Sequence, residues 1–210
     1  MCLFESIRIT NNEVPLLEYH QERVDRSIRE FLKTNTSISL NDCLKSRPRT
    51  GLYKARLTYS SKKHQVTYIP YIPKVIKRVG LFIIDKNVQY NYKLEDRSFL
   101  NGTEQFMTRF EDLLLVQNNL LTDSTYCNLA LEKNGIWYTP KNPLLKGTER
   151  QRQLDNGKLN IEDIYIDEIQ YFNHLKLFNA MNPFEVTPEL PVNIISTRNL
   201  FTNTLDNQKN

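Results

Sequence analysis

Three cysteines, Cys2, Cys43 and Cys127, are too few, too scattered and too odd in number to form a disulfide framework, and none falls in a C-x-x-C pair. This excludes a disulfide-stapled secreted scaffold and points to a reduced, cytoplasmic protein. Histidine is as scarce. His20, His64 and His174 stand far apart, so metal-ligand spacing is missing and no metal site is expected. No apolar run approaches the roughly 20 residues of a membrane helix, and the first residues lack the apolar stretch of a secretory leader. No membrane partner is expected. An excess of one charge is also lacking: 28 Lys and Arg stand against 24 Asp and Glu, a net charge of +4. The densest basic group, Lys74, Lys77 and Arg78, sits in an apolar stretch without an aromatic stacking platform. It reads as a solvated strand end rather than a nucleic-acid surface. Internal repeats and low-complexity segments are absent.

What is present is ordinary for a globular chain: 210 residues, 40% hydrophobic and 25% charged, enough for one large domain or two small ones. Residues 3–9, LFESIRI, read as a strand, Asn11-Asn12 as a turn, and 19–33 as an amphipathic helix with Val24, Ile28, Phe31 and Leu32 on one face. A short helix is expected over 39–46, stopped before Pro48. Residues 51–60 alternate, with Tyr53, Ala55, Leu57 and Tyr59 on one face and Lys54, Arg56 and Thr58 on the other. HQVTYIPYIP follows as an edge strand, and Pro70 to Lys74 as a connector. VGLFIID and VQYNYK read as strands, 98–110 as a helix interrupted by Gly102, and DLLLV and LLTD as strands around the turn QNN. CNLALEK, Asn134-Gly135 and IWYTP form a hairpin, since Asn-Gly suits a type I′ turn. Lys146-Gly147-Thr148 opens a helix in ERQRQL, and a glycine-approached helix start suits a phosphate. NIEDIYI, DEIQYF, LKLFNAM and VNIIS read as strand, helix, strand, strand, and the polar tail after Thr197 as frayed.

FESIRI, LEYHQERVDRS, YKLEDRS, LTDSTYCNLAL, WYTP, LLKGTER and LFNAM occur in that order. The set resembles the class IV, fold-type-IV family of pyridoxal-phosphate enzymes, which holds branched-chain and D-amino-acid aminotransferases and 4-amino-4-deoxychorismate lyase. The resemblance runs over nearly the whole chain. It implies an α/β fold of two domains, a small one over 1–74 and a larger pseudo-barrel over 75–210, with pyridoxal 5′-phosphate between them. A small-molecule amino substrate and a homodimer are also implied.

By that resemblance Lys93 is the Schiff-base lysine; taken alone it reads as a surface lysine ending a strand. Arg23 matches the phosphate arginine of an H-x-x-R segment, although the residues alone favour a solvated helix arginine among Glu22, Asp25 and Arg26. Asp123 falls where the family carries a glutamate beneath the pyridine nitrogen; a turn or cap aspartate ahead of Ser124 is the other reading the residues leave open. Asn128 follows it as a group tying the backbone. Leu145, Gly147, Thr148 and Glu149 cover the family's leucine-proline-glycine-isoleucine-threonine loop, Leu145 packing on the ring and the N–H groups of Thr148 and Glu149 meeting the phosphate. Asn179 and Ala180 match a late turn facing the phosphate and the substrate carboxylate. Arg56 is a candidate for that carboxylate.

Three departures carry expectations of their own. Asp123 is one methylene shorter than glutamate. Glu149 stands where the family has threonine, and its carboxylate has to point away from a phosphate. An extra strand and glycine turn that precede FE-x-I-R in the family do not precede it here, so one sheet edge needs other cover, for which a partner chain is the expectation. The implied reaction is either a lyase that yields pyruvate and the folate precursor p-aminobenzoate, which the Asn of LFNAM favours, or a transamination. A degenerate member that binds a ligand without catalysis is the reading of a different class.

Overall fold

Alternation in the first strand decides how the site is assembled. In β1 (Leu3–Thr10), Leu3, Ile7 and Ile9 face a buried core, and Phe4, Ser6 and Arg8 face the opposite way. The computed structural model describes residues 2–202. β1 pairs antiparallel with β2 (Leu52–Tyr59), and β2 with β3 (His64–Pro70), giving a sheet in the order β1-β2-β3. α1 (Leu17–Ser27) covers its apolar face, contributing Val24, and a π-turn over Ile28–Leu32 continues it, contributing Ile28. Ala55, Leu57 and Tyr59 of β2 complete that core, as the alternation predicts. α2 (Leu40–Cys43) is one short turn, capped by Ser39 Oγ accepting from the Asp42 N–H.

The remaining strands form two sheets. β4 (Val79–Ile83), β5 (Asp112–Gln117), β6 (Leu120–Ser124) and β12 (Ile195–Thr202) make one, ordered β12-β4-β5-β6. β7 (Asn128–Lys133), β8 (Ile136–Pro140), β9 (Asn160–Glu162), β10 (His174–Phe178) and β11 (Leu190–Pro191) make the other, ordered β11-β10-β7-β8-β9. Leu114 and Val116 pack with Leu129, Leu131, Leu175 and Leu177 in the core between them. The β7–β8 hairpin turns at Asn134-Gly135, both with positive φ (55° and 79°), which is what a type I′ turn demands. α3 (Thr148–Asp155) follows that hairpin.

Several elements differ from the sequence reading. VQYNYK is not a strand; its tyrosines pack in two separate cores, Tyr90 in one and Tyr92 in the other. The helix over 98–110 shrinks to a 3₁₀ turn, Ser98–Leu100, followed by turns, with Gly102 at φ 89° ending regular structure. DEIQYF gives the 3₁₀ turn Ile166–Tyr171, and VNIIS splits into a 3₁₀ turn and the start of β12. The tail after Thr197 is therefore in a strand as far as Thr202, parallel to β4; the rest of that tail lies outside the described residues. Among the described residues no helix is long and apolar enough to cross a membrane.

The irregular segment after β4 crosses back to β1. Phe4 N–H donates to the Lys93 carbonyl at 2.9 Å, Glu95 N–H donates to the Cys2 carbonyl at 3.0 Å, and Leu3 and Leu94 form a bridge. Part of the free β1 edge is thus covered from within the chain.

Candidate functional site

A cavity of about 390 Å³ opens on the polar face of β1 and β2. Phe4 and Ser6 face it from β1, and Lys54 and Arg56 from β2, with Ser6 directly opposite Arg56 in the register. Its other walls are Tyr90, Lys93, Arg97 and Phe99; Asp123 to Asn128; Leu144, Leu145, Gly147 and Thr148; and the turn Asn179 to Met181. Lys93, Arg23, Asp123, Asn128, Leu145, Gly147, Thr148, Asn179, Ala180 and Arg56, picked out one by one in the sequence, all reach this one space. Glu149 does not.

Lys93 projects at the cavity wall with Nζ 4.8 Å from the centre of the Phe4 ring. Removal from water lowers its ammonium to about 8, Arg23 and Arg97 add repulsion, and Glu5 opposes them. The residue is only half-buried by surface area because its tip meets the open cavity. An amine in this state is partly deprotonated near neutral pH, as a nucleophile and proton carrier requires.

Arg23 owes its position to a carboxylate inside the core. Glu5 lies on the apolar face of β1, fully buried, and accepts from Arg23 Nε at 2.8 Å and Nη2 at 2.5 Å and pairs with His20 Nδ1 at 2.7 Å. His20 and Arg23 sit three apart on α1 and so descend on Glu5 together. Burial alone would raise the Glu5 carboxyl, but Arg23 and His20 outweigh it and hold it at about 2. Among the described residues no hydrogen bond of Arg23 Nη1 is seen, and Arg23 lines the cavity. It also lines a second groove of about 380 Å³, between α1 and the start of α3, with Arg26, Arg29, Lys146 and Thr148.

Asp123, at the end of β6, is buried, and that burial pushes its carboxyl up to about 7. It accepts from Asn128 Nδ2 at 2.6 Å and from the Leu145 N–H at 2.9 Å. Asn128 Nδ2 also donates to the Leu145 carbonyl at 2.9 Å, so one amide ties the strand, the hairpin and the loop. Gly147 is required by the same amide: a Cβ there would lie 1.9 Å from Asn128 Oδ1. Gly147→Ala is expected to push Asn128 off Asp123. Losing hydrogen bonds to a buried carboxyl should weaken ligand binding in the cavity by roughly ten- to a hundredfold, read by absorbance titration with the pyridoxal phosphate that the resemblance implies; unchanged affinity would contradict this.

α3 begins at Gly147 with no side-chain cap, so its first N–H groups are left without a side-chain acceptor, beside Arg23 and Lys146. The Glu149 side chain turns inward. It accepts from Arg152 at 2.7 and 2.9 Å, from Gln153 at 2.8 Å and from the Phe184 N–H at 2.9 Å. Its carboxylate is thereby spent on packing α3 against the turn before Glu185, and only its N–H is available at the helix start.

The Asn179 amide is also taken up internally. Oδ1 accepts from the Met181 and Asn182 N–H groups at 2.8 and 2.9 Å, and Nδ2 donates to the Tyr126 carbonyl and to Cys127 Sγ. The turn presents backbone at Ala180, and the Asn179 side chain shapes it. Arg56 stacks over Phe4, 4.2 Å from its centre, and donates to Glu95 at 2.9 Å.

Four residues that shape the cavity escaped the sequence reading. Glu5 looked like one polar residue in an alternating strand; its only signal was a carboxylate on the apolar face. Arg97 lies within YKLEDRS and lines the cavity. Asp112 accepts from Ser124 Oγ at 2.8 Å and from the hydroxyl and N–H of Thr125, fixing the backbone beside Asp123. Arg150 is buried, donates to Thr139 Oγ1 and the Pro140 carbonyl, and is the nearby cation that restrains the rise at Asp123.

The chain is similar to several known proteins. Residues 86–188 match the family model described as amino-transferase class IV. An uncharacterised protein of Haemophilus influenzae is 31% identical over 185 residues, covering 86% of this chain and 97% of its own. A crystal structure from Haemophilus somnus, named a "putative 4-amino-4-deoxychorismate lyase", superposes with a TM-score of 0.81 at 26% identity, over 87% of this chain and 97% of that one. The PLP-bound form of a "hypothetical aminotransferase" from Mycobacterium tuberculosis shares the mixed α/β fold, with a TM-score of 0.71 at 14% identity, over 90% of this chain and 80% of that one.

Proposed function

The chain belongs to the class IV aminotransferase family, and from that premise we propose that it is a pyridoxal 5′-phosphate enzyme of the 4-amino-4-deoxychorismate lyase type, forming p-aminobenzoate and pyruvate. The observation that carries the reading is the convergence of Lys93, Asp123, Arg23 and the uncapped start of α3 on one cavity. These residues fit the cofactor. Arg23 and the N–H groups of Thr148 and Glu149 would hold the phosphate, the Lys93 amine would take the aldehyde, Asp123 would meet the ring nitrogen, and Leu145 would pack on the ring face.

The bound cofactor supplies an electron sink for the pair left at the substrate α-carbon. The chain's own residues do the rest. Lys93, at about 8, can take and return the α-proton near neutral pH. Asp123, at about 7, can share its proton with a basic ring nitrogen, and a cation against it would restore the carboxylate. Asn128 and the Leu145 N–H hold that carboxyl in place. Leu144, Leu145 and Tyr90 keep water from the reacting centre.

Support for the lyase over the transaminase comes from the Asn179-centred turn and from the similarity to the Haemophilus somnus protein. Transamination is the second reading, favoured by the family model's own description. The two separate when aminodeoxychorismate is supplied without a keto-acid acceptor. Many turnovers per site, with pyruvate released, are the expected result; a single half-turnover would transfer the assignment to the transaminase. A protein that stays colourless with added pyridoxal phosphate would reject both.

A further inference from the structure

Two hydrogen bonds cross from the three-stranded sheet to the turn that follows β10. Arg8, on the same face of β1 as Phe4 and Ser6, donates from Nη1 to the Met181 carbonyl at 2.6 Å. Tyr71, just past β3, donates from its hydroxyl to Asn182 Oδ1 at 3.1 Å. Its own N–H is fixed on the Leu52 carbonyl at 3.0 Å, at the start of β2. Both donors therefore belong to the sheet that forms one wall of the cavity, and both acceptors to the turn that forms another.

Arg8 is half-buried, and among the described residues it ion-pairs with no carboxylate; its guanidinium is directed at one backbone carbonyl. Removal from water draws its pKa below the ordinary value, and the neighbouring Tyr71 hydroxyl opposes this. A charge-assisted hydrogen bond is stronger than a neutral one and fixes the peptide that accepts it. That peptide, between Met181 and Asn182, is gripped from three sides. Arg8 holds its carbonyl, the Asn179 Oδ1 and carbonyl accept from its N–H at 2.9 and 3.0 Å, and Tyr71 holds the Asn182 side chain. Ala180, whose backbone the turn presents to the cavity, stands immediately before this unit.

We propose that Arg8 and Tyr71 are positioning residues: acting through the peptide between Met181 and Asn182, they hold the turn against the cavity so that Ala180 meets the bound substrate. Both act through backbone, so they set how well a substrate is held and not the step assigned to Lys93. The kinetic half of the test rests on the pyridoxal-phosphate reading above.

The test compares Arg8→Met, Arg8→Lys, Tyr71→Phe and the double variant of Arg8→Met with Tyr71→Phe, all cofactor-loaded, with aminodeoxychorismate in the pyruvate assay. KM should rise about tenfold in Arg8→Met and about threefold in Tyr71→Phe, with kcat held within about twofold, the signature of lost uniform binding. Arg8→Lys should recover part of the loss. Because both side chains act on one peptide, the double variant should raise KM by less than the product of the single effects. A fall in kcat at unchanged KM, or effects that multiply, overturns the proposal. Tyr71→Phe removes one oxygen from a half-exposed ring, so it also serves where Arg8→Met fails to fold. Amide exchange in that variant reads the latch without turnover: it should quicken about threefold or more at Asn182 while the amides of β10 are unchanged. Unchanged exchange at Asn182 overturns the proposal on its own. Failure of the functional reading is visible separately, as an unmodified protein without the absorbance of bound cofactor or without pyruvate release.

Discussion

On the proposed assignment, Lys93→Ala is expected to eliminate any adduct that borohydride fixes in the cofactor-loaded protein and to lower turnover by roughly a thousandfold or more, because one amine would serve as both nucleophile and proton carrier. The measurement is mass mapping of the reduced, digested protein, paired with the pyruvate assay. In the unmodified chain the adduct belongs on the peptide containing Lys93. Lys54, Lys141, Lys146 and Lys176 are the informative alternatives: an adduct on any of them would dismantle the site assignment. Arg8, Arg23, Arg56 and Arg97 cannot substitute, since a guanidinium does not deprotonate at these pH values. Burial sets the amine at about 8, so adduct formation should rise between pH 7 and pH 9 as the free amine accumulates. A surface lysine, near 10.5, would be limiting well above that range.

Glu5→Gln should be the most damaging change far from any reacting atom. It leaves Arg23 buried without its countercharge, and breaking a buried pair from one side costs about 3–5 kcal/mol. For a chain of this size that corresponds to a melting temperature lower by roughly 10 °C. The pH dependence carries a sign that identifies the group. Glu5 is depressed from 4.5 to about 2, so its contribution is present above the unfolded value and is lost as pH falls from 4.5 toward 2. The unmodified protein should therefore lose stability steeply over that interval, by about 3 kcal/mol, and Glu5→Gln should flatten it. Asp123 works in the opposite direction and in a different window. Its carboxyl is raised to about 7, so it favours the folded state at low pH and loses that advantage between about 4 and 7. Melting curves at intervals from pH 2.5 to pH 8 separate the two. A steep acid limb that persists in Glu5→Gln would remove Glu5 from this account.

How much of this was legible beforehand depended on whether the information was local. The type I′ turn at Asn134-Gly135, the two-faced strand from Leu52 to Tyr59 and the helix opened by Gly147 follow from a few adjacent residues, and each stands where the sequence puts it. The segment from Val88 to Phe110 was misread because its residues answer to distant partners. Tyr90 packs under Leu115, and Tyr92 packs against Phe31, so alternation there reports two different cores rather than one sheet. Among site residues, Lys93, Asp123 and the Gly147 loop came from the ordered resemblance, not from periodicity. Glu5 was hidden because a carboxylate on a core face looks like an irregularity until His20 and Arg23 are seen to close on it. The inward turn of Glu149 was required by charge, but its partners, Arg152, Gln153 and Phe184, come from elements the sequence does not place together.

The Lys93 backbone lies in no regular element of its own; it is anchored by the Phe4 N–H and the Leu3–Leu94 bridge. Amide exchange at a single position, Phe4, therefore serves as a clock for excursions of the Lys93 segment. Whenever that proton is released to deuterium, Lys93 has lost its mooring, and the frequency of such openings can be followed in a protein that is not turning over.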